Sequence, residues 1–138
     1  VPHALTDILI DEARRAAHNA YAPYSAFRVG AALRTEAGGS YRGCNVENAA
    51  FPVGACAERN AIAAAVAAEG PEMRIAAIAI VALNPVGEAV ICAPCGACRQ
   101  AILEFGPGAI VIFHTGDDHV AAVSADALLP GAFRFDQA

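Results

Sequence analysis

The 138-residue chain has no lysine, and its nine arginines are scattered through a sequence of net charge −5. It therefore lacks a basic stripe able to neutralise a run of phosphates, which excludes a nucleic-acid footprint. No apolar run is free of charges and breakers for long enough to read as a membrane span. The first residues, Val1-Pro2-His3-Ala4, show no basic region ahead of an apolar one, so no secretory signal is read and the cytoplasm is the expected location. Internal repeats, low-complexity tracts and linkers are also missing. The length suits one domain, 1–138, whose core is large enough to need no disulfide staples. These absences point to a small-molecule partner, with no nucleic acid and no membrane.

Cysteine is present, and its placement is informative. Five cysteines do not pair off cleanly, and three of them fall between Cys92 and Cys98. Without secretion signals, that clustering favours metal or redox chemistry over a disulfide framework. In Pro94-Cys95-Gly96-Ala97-Cys98-Arg99-Gln100, a helix with Pro94 at its first position puts Cys95 and Cys98 three residues apart on one face. Cys56, which opens Cys56-Ala57-Glu58-Arg59, would bring a third sulfur from a second helix start, where the dipole and free N–H groups favour thiolate. Three thiolates make a zinc site with an open position at which water is activated. Glu58, two residues from Cys56, is placed to move protons, so the cluster points to zinc-dependent hydrolysis. A lone C-x-x-C would suit a structural knuckle or a redox pair equally well. Cys44 or Cys92 as a fourth ligand would close the site, and their simpler reading is as small buried hydrophobes.

The pattern along the chain alternates helices and strands. Leu5, Ile8, Leu9, Ala13, Ala16, Ala17 and Ala20 recur at helical spacing, and Tyr21-Ala22-Pro23 would end that helix. Phe27 to Leu33 reads as a strand, Gly38-Gly39 as a turn, and Ser40 to Cys44 as the returning strand. A polar loop, Asn45-Val46-Glu47-Asn48, leads to a helix from Cys56 to Glu69 that stops at Gly70-Pro71. The apolar runs Ile75 to Leu83 and Ala109 to Phe113 read as strands buried on both faces. They flank the Pro94 helix, which predicts a right-handed crossover and a parallel pair. Val120 to Val123 adds a last strand, Ser124 caps a short helix through Leu129, and Pro130-Gly131 releases a tail carrying Phe133. The expected fold is α/β, a three-layer α/β/α sandwich around one mixed sheet. With 57% hydrophobic residues, such a chain has more apolar surface than one core hides, so association with like subunits is expected.

Phe27-Arg28-Val29-Gly30-Ala31-Ala32, Gly43-Cys44-Asn45-Val46-Glu47-Asn48, Cys56-Ala57-Glu58-Arg59, Pro94-Cys95-Gly96-Ala97-Cys98-Arg99-Gln100 and Leu128-Leu129-Pro130 stand in the order found in the cytidine deaminase family. Over nearly its whole length the chain resembles the small-subunit, three-cysteine branch of that family. The resemblance implies hydrolytic deamination of cytidine and 2′-deoxycytidine to uridine and 2′-deoxyuridine, with release of ammonia, in pyrimidine salvage. It implies one Zn²⁺ per subunit on Cys56, Cys95 and Cys98, with Glu58 as the catalytic proton carrier. Arg59 would hydrogen-bond ligand sulfurs and help offset the −1 charge left by three thiolates on Zn²⁺, and Gln100 would support the site similarly. Asn45 and Glu47 would take the sugar hydroxyls, Phe27 would stack beside the base, and Ala57 would contact substrate. The resemblance further implies a homotetramer with shared active sites, in which Phe133 closes over a neighbour's substrate; the alternative is that Phe133 plugs its own core. Ala93 and Phe51 depart from relatives that often carry serine and tyrosine there.

Overall fold

The run Ile75–Leu83 becomes the central strand of one mixed sheet in the computed structural model, which describes residues 2–116 and 118–135. In chain order the elements are α1 (His3–His18), β1 (Arg28–Thr35), β2 (Ser40–Cys44), α2 (Ala57–Glu69), β3 (Ile75–Leu83), β4 (Ala89–Val90), α3 (Gly96–Phe105), β5 (Ile110–Gly116), β6 (His119–Ser124) and α4 (Ala125–Leu128). A single 3₁₀ turn, Phe51–Val53, precedes α2. The strand order is β2-β1-β3-β5-β6, with β4 paired to the end of β3. Among the strands of the described residues β3 and β5 run parallel, and the other pairs are antiparallel.

Alternation along β3 explains the three layers. Ile78, Ile80 and Ala82 face a cluster with Ala61, Ile62 and Ala65 of α2 and Ile102 and Leu103 of α3. Ala77, Ala79, Val81 and Leu83 face the other side, where Leu9, Ala13 and Ala17 of α1 cover them. Each fully buried aliphatic side chain contributes about 1.5–3 kcal/mol, so the two clusters press helices onto both faces. Alanine lets these helices sit close. At Gly43 the approach is closer still, because a Cβ there would overlap the Ala57 carbonyl and the Ala61 N–H in the first turns of α2.

Two helix boundaries and one strand differ most from the sequence expectation. The first helix stops at His18, because the Tyr21 N–H donates to the Asn45 carbonyl (3.1 Å) and the Glu47 N–H to the Tyr21 carbonyl (2.9 Å). The chain leaves the helix early to pair with the polar loop. Pro94 does not open α3: Cys95 is the N-cap, in extended conformation (φ −68°, ψ 168°), and the helix begins at Gly96. Strand β4 was not anticipated. It returns through a turn at Asn84-Pro85-Val86-Gly87, in which the Asn84 side chain accepts from the N–H groups of Val86 (3.1 Å) and Glu88 (2.9 Å).

Candidate active site

Two helix starts meet on one face of the sheet. Cys56 is the N-cap of α2 and Cys95 the N-cap of α3, while Cys98 lies in the first turn of α3. Their three sulfurs lie within 4.8 Å of one another. Tetrahedral coordination at a Zn–S distance of about 2.3 Å places sulfurs about 3.8 Å apart, so one ion fits among them. The electrostatics agree. The Cys95 thiol is held below its usual pKa, chiefly by the Cys98 N–H, whereas burial and then the Glu58 charge push the Cys98 thiol upward. A divalent cation at this point relieves that repulsion. Cys44 and Cys92 lie outside the group, so neither closes it as a fourth ligand. Burial pushes the Cys92 thiol up to about 11, which keeps it protonated.

Glu58 follows from the same helix start. It is 5% exposed, in the first turn of α2 one residue beyond Ala57. Burial raises its pKa, opposed by its own N–H, the Cys98 thiol and the Arg59 charge. Such a carboxyl accepts and returns a proton more readily near neutral pH than an exposed one. The Arg59 guanidinium donates to Cys56 Sγ (3.8 Å) and to the Gly54 carbonyl (3.4 Å). Its interactions with Cys56, and more weakly with Cys98, raise its own pKa.

A cleft of about 300 Å³ opens over this cluster. Phe27, Val29, Asn45, Ala57, Glu58 and Ala93 line it, together with Cys56, Cys92 and Cys95. Glu47 stands two residues beyond Asn45, with its carboxylate accepting from the N–H groups of Tyr24 (2.9 Å) and Ser25 (3.2 Å) and from the Ser25 hydroxyl. These donors, the hydroxyl foremost, hold the Glu47 carboxyl below the usual carboxylate range. Three converging thiols, one buried carboxyl and a cleft lined in part by an amide are suited to a metal-assisted reaction with proton transfer.

Comparison with known proteins fits this geometry. Residues 6–114 match the family model for the cytidine and deoxycytidylate deaminase zinc-binding region. The chain belongs to the cytidine deaminase family. A cytidine deaminase of Sporosarcina psychrophila is 43% identical over 128 residues, spanning 91% of this chain and 88% of that protein. One from Mycobacterium tuberculosis is 37% identical over 136 residues, spanning 99% and 95%. The crystal structure of the Burkholderia pseudomallei cytidine deaminase superposes with a TM-score of 0.81 at 44% identity, covering 96% of this chain and all of that one.

Other members of the deaminase motifs serve the frame around the cluster. Gln100 donates to the Phe133 carbonyl (2.9 Å) and so holds the tail. Arg99 donates to the Pro94 carbonyl (2.8 Å) and to the Leu128 carbonyl (2.9 Å), tying the cysteine loop to α4. Phe133 is 68% exposed and packs edge-to-face on Phe135, so it does not plug its own core. Sequence reasoning missed Ser25 and the β4 hairpin. The Asn84-Pro85-Val86-Gly87 turn ahead of the apolar Ala89-Val90-Ile91 was the available signal for β4; for Ser25 there was none, because its partner is distant in the chain. Among the described residues, no helix is long and apolar enough to cross a membrane.

Proposed function

We propose that this chain, as one catalytic domain over 1–138, is a cytidine deaminase that hydrolyses cytidine and 2′-deoxycytidine to the uracil nucleosides and ammonia in pyrimidine salvage. The observation that carries the reading is the buried Glu58 carboxyl beside three converging sulfurs, on the wall of a cleft edged by Phe27 and Asn45. Cys56, Cys95 and Cys98 hold Zn²⁺, which when bound supplies Lewis acidity and lets water ionise near neutral pH. Glu58 takes a proton from the water that attacks carbon 4 and places it on ring nitrogen 3. The Glu58 carboxylate then takes the proton of the new C4 hydroxyl and passes it to the amino group, which leaves as ammonia as the C4–N bond breaks and the C4 carbonyl forms. Ala57 and Phe27 bound the base, with the ring of Phe27 stacking beside it. Asn45 and Glu47 take the sugar hydroxyls. An ionised Glu47 at the sugar end repels a 5′-phosphate, so free nucleosides are used and nucleotides are not. Arg59 orients Cys56 through its hydrogen bond to the sulfur. The thiol cluster suits a reducing compartment, and we place the protein in the cytoplasm.

Exposed apolar side chains support a homotetramer with shared sites. Tyr24 and Phe51 stack edge-to-face at 6.0 Å with little cover, and Phe51 is 75% exposed. Val53, Phe133 and Phe135 are exposed as well. A second subunit that covers them removes that surface from water, and Phe133 then reaches a neighbour's cleft.

Ammonia release from cytidine, deoxycytidine and cytidine monophosphate by zinc-loaded protein tests the reading. Turnover of both nucleosides without turnover of the nucleotide is expected; comparable use of the nucleotide overturns the Glu47 assignment. Sedimentation velocity reads the oligomer. Co-expression of Phe133→Ala with Glu58→Gln, each poor alone, should recover activity above the sum of the parents, and mixed oligomers without recovery contradict the shared site.

A further inference from the structure

Asn45 and Glu47 already have partners within the chain, and those partners converge on Phe27. The Asn45 amide accepts from the Val29 N–H (2.8 Å) and donates to the Phe27 carbonyl (2.9 Å). The Phe27 N–H donates to Ser25 Oγ (3.0 Å), and the Ser25 hydroxyl donates in turn to the Glu47 carboxylate. Phe27 is thus held at both backbone polar groups, at one by Asn45 and at the other by Ser25. We propose that Ser25 is a positioning residue for the nucleoside, whose hydroxyl carries the orientation of the Glu47 carboxylate to the Phe27 backbone, so that the sugar end and the base end of the cleft are set as one unit. The inference rests on the substrate reading above.

The donor and acceptor inventory gives the relay its direction. A serine hydroxyl has one proton; with that proton on Glu47, its lone pairs face the Phe27 N–H. An ionised carboxylate has about four acceptor sites. The N–H groups of Tyr24 and Ser25 and the Ser25 hydroxyl fill three of them, which leaves one for a sugar hydroxyl without release of the loop. Packing does not explain Ser25, which is exposed and stands apart from both apolar clusters. The intervening Ala26 sits at φ 58°, a conformation alanine rarely adopts unaided, so the turn depends on these bonds for its shape. Ser25 touches neither the sulfurs nor Glu58, and it acts through Glu47 and Phe27.

The test uses Ser25→Ala, Ser25→Thr, Glu47→Gln and the Ser25→Ala/Glu47→Gln double variant as zinc-loaded proteins. Steady-state kinetics on cytidine and hydrogen exchange of the Phe27 amide are measured for each. Ser25→Ala should raise KM by about 5- to 10-fold, the worth of one hydrogen bond, with kcat changed by less than about twofold and zinc content unaltered. The Phe27 amide should exchange faster. Threonine keeps the hydroxyl and has room at an exposed site, so Ser25→Thr should restore both readouts. Because both changes break one relay, the double variant should be no worse than Glu47→Gln alone. Unchanged KM and unchanged Phe27 exchange in Ser25→Ala overturn the proposal, and so do effects that multiply in the double variant. If the unsubstituted protein fails to deaminate cytidine, the substrate reading falls, and the exchange comparison still decides whether Ser25 holds Phe27.

Discussion

At the cysteine end of the cleft the functional groups sit on two helix starts pressed against the sheet, whereas at the Glu47 end they sit on two exposed loops that hold each other by hydrogen bonds. Cys98 is fully buried and Glu58 nearly so. Ser25 and Glu47 are held by exposed contacts. The Cys56 and Cys95 caps are set by the packing of α2 and α3 on β3, which must be largely undone before the sulfurs separate. The loop contacts are individually worth about 0.5–1.5 kcal/mol and exchange with water. Substitution at the first end should therefore change metal content or kcat, and substitution at the second should change KM.

The sharpest break is Cys98→Ala. It removes the fully buried sulfur of the set, and loss of bound zinc by elemental analysis together with turnover at background is the expected result; full activity in a metal-free preparation contradicts the metal centre. Glu58→Gln comes next. The amide preserves size and hydrogen bonding but carries no proton, so kcat should fall by at least ~10²-fold with zinc and the circular dichroism spectrum retained. Near-normal kcat removes Glu58 from the chemistry.

At the other end the effects are smaller. Glu47→Gln and Asn45→Ala should each raise KM for cytidine by about tenfold while kcat stays within a few-fold. A loss confined to kcat would erase the distinction between the two ends. The smallest effect expected is a null one. The Ser25 hydroxyl and two N–H groups lower the folded-state pKa of Glu47, so its contribution is present above the ordinary carboxylate pKa and is lost only as pH falls through the lowered value. The ratio of KM between Glu47→Gln and the unsubstituted protein, in which the titration of Glu58 cancels, should therefore be flat from pH 8 to pH 5; a fall of that ratio already between pH 6 and pH 5 shows that the carboxylate is not held this way.

Local pattern made the frame and the metal end legible. The continuous apolar runs of β3 and β5 announced strands covered on both faces, and the parallel pairing expected of them is observed. The end of β2 and the stop of α2 at Gly70 stand where turn and cap chemistry put them. The start of α3 was displaced by two residues. Pro94 suits a first helical position, but Cys95 takes the N-cap in extended conformation and the helix begins one residue after it. Gln100, expected at the cluster, donates to the tail instead, because nothing in the sequence distinguishes an amide that faces a metal from one that faces a carbonyl 33 residues away.

The sequence by itself pointed to the three sulfurs, the acid beside them and the order of every strand and helix but β4, because each depends on spacing within a turn or on the period of an apolar run. The tertiary structure alone decided that the first helix ends at His18 to meet Asn45, that Arg99 ties the cysteine loop to α4, and that Glu47 reaches Phe27 through Ser25. Those contacts join residues far apart in the chain. Their partners are selected by which backbone donors and acceptors the folded sheet leaves unpaired, and no local pattern records that.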